Sequence, residues 1–322
     1  MRILHLDTGK EMRGGQWQVL RLIEGLSQAG VESTLLAPED ALLFAAARDK
    51  GWRVEPLSLV RALLAARRYD LVHAHDARSH TLAALIGVMI PVVPKVVPLV
   101  VSRRVAFAVR SRWKYRRPTR FIAVSEYVKS VLLQGGVPAG KISVVYDGVP
   151  LLQVSTRATT NITVLAKATG QSHDRRSQSH DRQGVVVPGV ITALASAAAE
   201  LAGVTLRPTV NLERDLRDAG VLLYLSDSEG LGSGALLAMS AGVPVIASKV
   251  GGLLEVIRDG ENGILVPNEP TAIAAAIKRL LASPDLVGRL GRAARQTVMD
   301  RFTVDQMVRH TMEVYRQVLS LD

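Results

Sequence analysis

Short apolar runs alternate with stretches of helical periodicity along nearly the whole chain. Arg2–Asp7, Glu32–Ala37, Leu71–His75, Pro98–Ser102, Phe121–Val124 and Ile142–Tyr146 have strand length and few polar breaks. Between them Gln16–Ala29, Asp40–Lys50, Leu57–Arg67, Arg78–Val88 and Glu126–Gln134 carry helix-like periodicity. Strand, helix and strand in regular succession predict a parallel, doubly wound α/β sheet with helices on both faces. A second series runs through Ile162, Val185–Val187, Val204–Arg207, Val221–Leu225, Val243–Ala247 and Gly263–Val266. It closes with three helical segments, Pro270–Ala282, Pro284–Val298 and Val304–Leu319. The polar stretch Ser155–Asn161 is the expected linker, which gives two domains, 1–150 and 151–322.

At 322 residues the chain can bury two ordinary cores, and 48% hydrophobic with 21% charged residues excludes disorder. Cysteine is absent, which removes disulfides, thiolate metal sites and cysteine nucleophiles and fits a reducing, cytoplasmic setting. The opening Met1–Asp7 is too short and too polar for a signal peptide and reads as a first strand. The most apolar region, Thr81–Val101, is interrupted by Pro91, Pro94, Lys95 and Pro98, which argues against a spanning helix. The net charge of +11 calls for an anionic partner. Nucleic acid is not favoured, because no helix-turn-helix, zinc-finger or base-stacking motif appears. Arg103–Arg120 concentrates basic residues around Phe107, Trp113 and Tyr115. It reads either as a solvated face or as a patch that meets lipid head groups or a phosphorylated acceptor.

The segment Gln171-Ser172-His173-Asp174-Arg175 recurs as Gln178-Ser179-His180-Asp181-Arg182 and reads as an exposed loop. Its histidines and aspartates lack a rigid ligand geometry, so no metal is expected there.

The densest chemistry lies in Ser228-Glu229-Gly230-Leu231-Gly232-Ser233-Gly234, between an apolar strand and a helical run. Glycines admit a ligand close to the backbone, and the first amides of a helix are unpaired and suit phosphate. A carboxylate just before them can accept hydrogen bonds from sugar hydroxyls. Gly14-Gly15 before the first helix is a weaker version of the same arrangement. His73, His75, Asp76 and His80 collect at the end of the strand beginning near Asp70, where open α/β sheets bind ligands.

These motifs, with Ala241-Gly242-Val243-Pro244-Val245, Val250-Gly251-Gly252 and Asn262-Gly263, resemble the family-4 glycosyltransferases. The resemblance implies a GT-B fold: two Rossmann-like domains facing across a cleft, with the last helix, about 304–319, packing back on the first. It implies transfer from a nucleotide sugar, with retention, to a cell-envelope glycan or lipid-linked acceptor, without cofactor or metal. The absence of an Asp-x-Asp motif in a plausible loop agrees with a metal-independent site. The resemblance also implies that Glu229 meets the transferred sugar, with Gly230, Leu231, Gly232 and Ser233 at the donor. Gly14 and Gly15 approach the diphosphate. Lys167, following a strand Ile162–Ala166, stands where the family has a diphosphate-binding arginine. His75 or Asp76 lines the acceptor cleft, and Arg103 and Arg104 lie where many members carry a histidine beside the reacting sugar.

Three departures stand out. Leu237 occupies the place of the family's second glutamate, which meets the ribose. Gln183-Gly184 replaces Lys-Gly, leaving Arg175 or Arg182 as alternatives. The units between Gly184 and Val221 are compressed. A catalytically impaired member that binds nucleotide sugar or serves as a scaffold is therefore the second reading.

Overall fold

The computed structural model describes residues 1–89, 97–154, 164–169, 190–209 and 211–320. In chain order the elements are β1 (Arg2–Leu6), α1 (Gly14–Gln28), β2 (Glu32–Ala37), α2 (Leu42–Asp49), β3 (Val54–Pro56), α3 (Leu59–Ala66), β4 (Leu71–Ala74), α4 (Ala77–Met89), β5 (Leu99–Arg103), α5 (Arg112–Arg116), β6 (Arg120–Ala123), α6 (Glu126–Gln134) and β7 (Ile142–Val144). They continue with β8 (Val164–Thr169), α7 (Val190–Ala202), β9 (Arg207–Pro208), α8 (Leu212–Asp215), β10 (Val221–Ser226), α9 (Ser233–Ser240), β11 (Val245–Ser248), α10 (Leu253–Val256), β12 (Ile264–Val266), α11 (Pro270–Leu281), α12 (Pro284–Arg301) and α13 (Val304–Leu319). The chain divides into two compact units, Met1–Gly148 with Thr303–Asp322, and Val149–Phe302.

In the first unit seven parallel strands run in the order β3-β2-β1-β4-β5-β6-β7. Side chains alternate across each strand, so every second residue faces the same way. Ile3, Leu71, Val100 and Ile122 form a core with Leu22 and Leu26 of α1 and Met307, Val308, Val314, Tyr315 and Val318 of α13. Helix α13 begins with a capping box, in which the Thr303 hydroxyl accepts from the Gln306 amide and the Gln306 side chain accepts from the Thr303 amide.

The second unit has a five-stranded sheet, β12-β11-β10-β8-β9, also parallel. Val221, Leu223 and Leu225 of β10 share a core with Ile246, Ile264 and Val266, closed by α7, α11 and the start of α12. The alternate residues of β10, Tyr224 and Ser226, face the other way, toward the loop that precedes α9.

Several expected elements are adjusted. Strand β8 extends through Thr169, paired with Ser226, so Lys167 lies inside the strand rather than after it. The expected strand Val204–Arg207 shrinks to Arg207–Pro208, an exposed edge pair. Strand β3 and helices α5, α7 and α8 were not read from the sequence. The first is too short for a period, and α7 is apolar on most of its surface. Ser155–Asn161, Val185–Val187 and the repeat 171–182 lie outside the described residues. Among the described residues no helix is long and apolar enough to cross a membrane.

Helix α12 packs against α9 through a glycine. A Cβ on Gly291 would sit 2.2 Å from the Gly242 carbonyl oxygen, whereas one on Gly288 would meet only the mobile end of Arg292 at 3.4 Å. Alanine normally stabilises a helix interior over glycine by roughly 0.8–1 kcal/mol. Gly288→Ala should therefore raise the melting temperature. Gly291→Ala should lower it, because backbone cannot yield as a side chain can. Thermal melts of the two variants test the opposite signs.

Candidate active site

On one face of the first sheet the side chains change character toward the carboxyl ends of the strands. The apolar layer of Ile3, Leu71 and Val100 is followed by a buried polar layer of His5, His73 and Ser102. Beyond these lie Asp7, His75 and Arg104, near Asp147. Parallel pairing sets this order, because it makes His5 and His73 direct cross-strand partners.

The polar layer is tied by hydrogen bonds. His73 Nδ1 is 2.6 Å from the Tyr315 hydroxyl and its Nε2 is 2.8 Å from Ser102 Oγ. His5 Nδ1 is 2.9 Å from His75 Nε2, and His5 Nε2 is 3.2 Å from Ser33 Oγ. Burial holds His5 down to about 3, and it also pushes His73 and His75 well below the usual histidine range, with the neighbouring imidazoles and Arg104 adding to the effect. All three are neutral imidazoles at physiological pH. Their ligand atoms lie within 4.8 Å of one another, close enough to suggest a metal cluster. Both nitrogens of His73 are already engaged, however, so a metal would have to displace the Tyr315 or Ser102 contact.

His75 Nδ1 is buried and has no hydrogen-bond partner among the described residues. The side-chain amide of Gln18 on α1 is buried and likewise unpartnered at both atoms. Unpaired buried polar groups are costly, and in native proteins they commonly mark a water, ion or ligand site. Gln18 follows the Gly14-Gly15 start of α1 by one turn, on the side that continues to Leu22.

At the rim, Arg104 Nε donates to Asp147 Oδ1 at 3.1 Å, and its Nη1 lies 3.5 Å from the His75 carbonyl. Helix α1 begins without a side-chain cap, and a Cβ on Gly15 would lie 3.8 Å from Arg104 Cδ. The structure thus brings Gly14, Gly15, His75 and Arg104 together. Asp7 and Asp147 belong with them and were missed. Asp7 accepts from the Gly9 amide at 2.8 Å and from Gln16 Nε2 at 3.1 Å. Burial, reinforced by Asp76, raises its carboxyl to about 6. The available signal was its position at the end of the first strand, in phase with His5.

Asp76 and Arg103 are placed differently from what the sequence suggested. The Asp76 carboxylate accepts from the Thr8 amide and hydroxyl and from the Arg78 and Ser79 amides. It caps α4 and pins the loop after β1, which occupies its oxygens. Arg103 points to the opposite face of the sheet. It donates to the Phe107 carbonyl and lies over the Tyr115 ring, 5.8 Å from the centroid. His80 is also structural, bonded to the Lys114 carbonyl and edge-on to Tyr115 and Phe121.

In the second unit the loop after β10 is held by a small network. Ser248 Oγ accepts from the Ser226 amide and donates to Asn268 Oδ1, and Asn268 Nδ2 donates to the Ser226 carbonyl. The Tyr224 hydroxyl donates to Glu229 Oε2 at 2.8 Å, and the Gly252 amide donates to the Glu229 carbonyl at 3.0 Å. Tyr224 was not singled out from the sequence, though its place in β10, in phase with Ser226, was visible. Gly232 has φ of +100°, a conformation that turns the chain into α9 and disfavours other residues. Gly252 packs on Gly230 so closely that a Cβ would be 2.1 Å from the Gly230 oxygen. Helix α9 has no side-chain cap, so its first amides are available to an anion beside Glu229. Gly230 and Leu231 are buried, while Ser233 is partly open. Leu237 is buried in α9.

Comparison with known proteins adds the family. Residues 12–152 match the model of Glycosyltransferase Family 4, and residues 194–297 match Glycosyl transferases group 1. The chain belongs to the family-4, group 1 glycosyltransferases. A D-inositol 3-phosphate glycosyltransferase of Streptomyces griseus is 38% identical over 141 residues, covering 42% of this chain and 30% of that protein. An N-acetyl-alpha-D-glucosaminyl L-malate synthase of Bacillus anthracis is 34% identical over 113 residues, covering 35% of this chain and 30% of that one. These matches span less than a third of each relative's length. Anabaena HepE, solved with UDP and glucose, superposes with a TM-score of 0.78 at 17% identity, covering 98% of this chain and all of that one. The sucrose-phosphate synthase of Thermosynechococcus elongatus gives 0.72 at 19% identity over the whole of both chains. At these identities the likeness establishes the GT-B fold.

The raised carboxyl of Asp7 has a consequence for this family member's stability. Its folded-state value lies above the ordinary 3.8, so the native state binds the proton more tightly and the ionised form destabilises the fold as pH rises through about 6. Asp7→Asn should therefore stabilise the protein at pH 7–8, by up to roughly 2–3 kcal/mol, with the gain vanishing below about pH 4. Denaturant melts at both ends of that range check it. An equal shift at all pH values would mean that the fold does not raise the Asp7 carboxyl.

Proposed function

We propose that the protein transfers a sugar from a nucleoside-diphosphate donor to a cell-envelope glycan or lipid-linked acceptor, met at an anionic membrane surface. In this reading the transfer retains anomeric configuration and uses no metal. The carrying observation is Glu229, oriented by Tyr224 and set before the uncapped start of α9.

The chemistry follows from that placement. The bond between the anomeric carbon and the diphosphate oxygen breaks, and the acceptor oxygen forms the new glycosidic bond. The acceptor's hydroxyl proton passes to the departing diphosphate. Negative charge grows on the diphosphate, where helix amides fixed in advance are most effective. Ser233 and the glycines of residues 230–232 are assigned to this end of the donor, Lys167 of β8 to its phosphates, and Glu229 to the hydroxyls of the transferred sugar. In the first unit Gly14 and Gly15 are assigned to the diphosphate, and His75 and Arg104 to the reacting centre. Arg103 and Asp76 support that rim from behind. The UDP bound to HepE supports a nucleotide donor, and the inositol phosphate and malate named for two relatives support a polar acceptor.

Leu237 favours a second reading, in which the site binds a nucleotide sugar without turning it over, because no carboxylate stands there to hold the ribose. A panel of sugar nucleotides separates the two. Under the first reading one of them is transferred or slowly hydrolysed. Under the second, ligand raises the melting temperature with no turnover.

On a confirmed donor, Glu229→Gln should keep the fold and lose about 10- to 100-fold in turnover, since charge-assisted hydrogen bonds are worth roughly 1–3 kcal/mol. Tyr224→Phe should lose less, about tenfold or under, because it orients the carboxylate without meeting substrate. Wild-type rates in Glu229→Gln would remove the residue from the site.

A further inference from the structure

The charge of this protein is not spread over its surface. Residues 57–69 and 77–125 contain thirteen of the 40 Lys and Arg and none of the 29 Asp and Glu, so the rest of the chain holds 27 bases against 29 acids. The entire net positive charge therefore belongs to two stretches of the first unit, those that build α3, α4, β5, α5 and β6.

Within them the structure separates internal from external bases. Arg103 is buried under Tyr115, Arg104 pairs with Asp147, and Lys114 Nζ donates to the Ala77 carbonyl and to Thr81 Oγ1 at 2.9 Å. Tyr115 is a core residue. Lys114 holds α5 against α4, Arg103 packs under Tyr115 of α5, and Arg104 turns to the candidate site, so none of the three belongs to the outer face. Arg61, Arg67, Arg68, Arg78, Arg110, Arg116 and Arg117 are exposed. The described ion pairs include none of these seven.

Large apolar side chains stand beside these bases. On α3, Val60 and Leu64 lie one turn apart and are 65% and 60% exposed, with Leu59 at 39%. Leu85 of α4 and Trp113 of α5 are 40% and 46% exposed. Helix α3 packs on α4 and α4 on α5, so the three helices form one continuous layer. A single exposed leucine needs no explanation, but several on adjoining acid-free helices, ringed by arginines, do.

We infer that the α3–α4–α5 layer is a docking face for an anionic lipid bilayer, with Val60, Leu64, Leu85 and Trp113 entering the interface and Arg61, Arg67, Arg68, Arg78, Arg116 and Arg117 meeting head-group phosphates. Charge complementarity selects the partner: the face is basic and without acids, and bilayer surfaces of anionic lipid are its complement. The exposed aliphatic side chains favour lipid over nucleic acid, whose backbone and base edges offer nothing for Val60 and Leu64 to enter. The inference rests on the membrane clause of the proposed function and names the surface that serves it. It adds α3, which lies outside the basic segment read from the sequence, to that surface. Binding to lipid needs no donor, so it and the transfer reaction can fail separately.

The test is flotation with vesicles of phosphatidylcholine alone and with about a third phosphatidylglycerol, at low and high salt. Two variants, Val60→Asp/Leu64→Asp and Arg61→Gln/Arg67→Gln/Arg68→Gln, are compared with the controls Leu201→Asp and Arg292→Gln, with thermal melts confirming that each folds. Wild type should bind the anionic vesicles at least about tenfold better than the neutral ones, and less at high salt. Each face variant should lose about tenfold or more, and the controls should match wild type. Absence of binding to anionic vesicles at low salt overturns the inference. So does binding that survives Val60→Asp/Leu64→Asp, which would leave only diffuse attraction, or displacement of the vesicles by an equal charge of duplex DNA.

Discussion

Parallel strand pairing is the constraint on which the rest of this structure depends. In each unit all strands point the same way, so their carboxyl ends lie along one edge and the helices that follow begin there. Uncapped helix starts, glycine turns and charged side chains are gathered at that edge without any local sequence requiring it. Register then decides which side chains meet. His5 faces His73 because β1 and β4 are paired at those residues. Tyr224 reaches Glu229 because the loop after β10 is fixed by Ser226, Ser248 and Asn268.

The first unit carries a buried polar layer between its core and its rim, at a cost that hydrogen bonds offset. Three imidazoles, two serine hydroxyls and Tyr315 satisfy one another almost completely, and their burial keeps the rings neutral. His75 Nδ1 is the exception within the layer, and the buried Gln18 amide of α1 is likewise unpartnered among the described residues. A satisfied network would be a rigid floor. One that leaves these atoms open presents polar groups to whatever occupies the space above it.

The two units use different devices for similar ends. In the second, a carboxylate is oriented by a tyrosine and the backbone of α9 is left open beside it. In the first, an arginine is held by a buried aspartate, and the helix start is opened by Gly14 and Gly15. Asp76 and Arg103 show the same edge serving the fold: Asp76 caps α4 and pins the loop after β1, and Arg103 braces the segment after β5 and packs on Tyr115 of α5.

The alternation of apolar runs was enough to determine a parallel α/β architecture with two series of strands, because burial on both faces of a sheet requires such runs. The Glu229–Gly234 pattern was enough to mark a loop between a strand and a helix. Local sequence could not say which side chains would be partners. His5 and His75 are 70 residues apart, His73 and Tyr315 are 242 apart, and Arg104 and Asp147 are 43 apart. Nor could it tell Arg103 from Arg104, adjacent residues that strand alternation sends to opposite faces. One becomes a buried brace and the other part of the rim. Those outcomes were decided by tertiary structure, because strand register and helix docking set side-chain proximity, and both are properties of the assembled sheet.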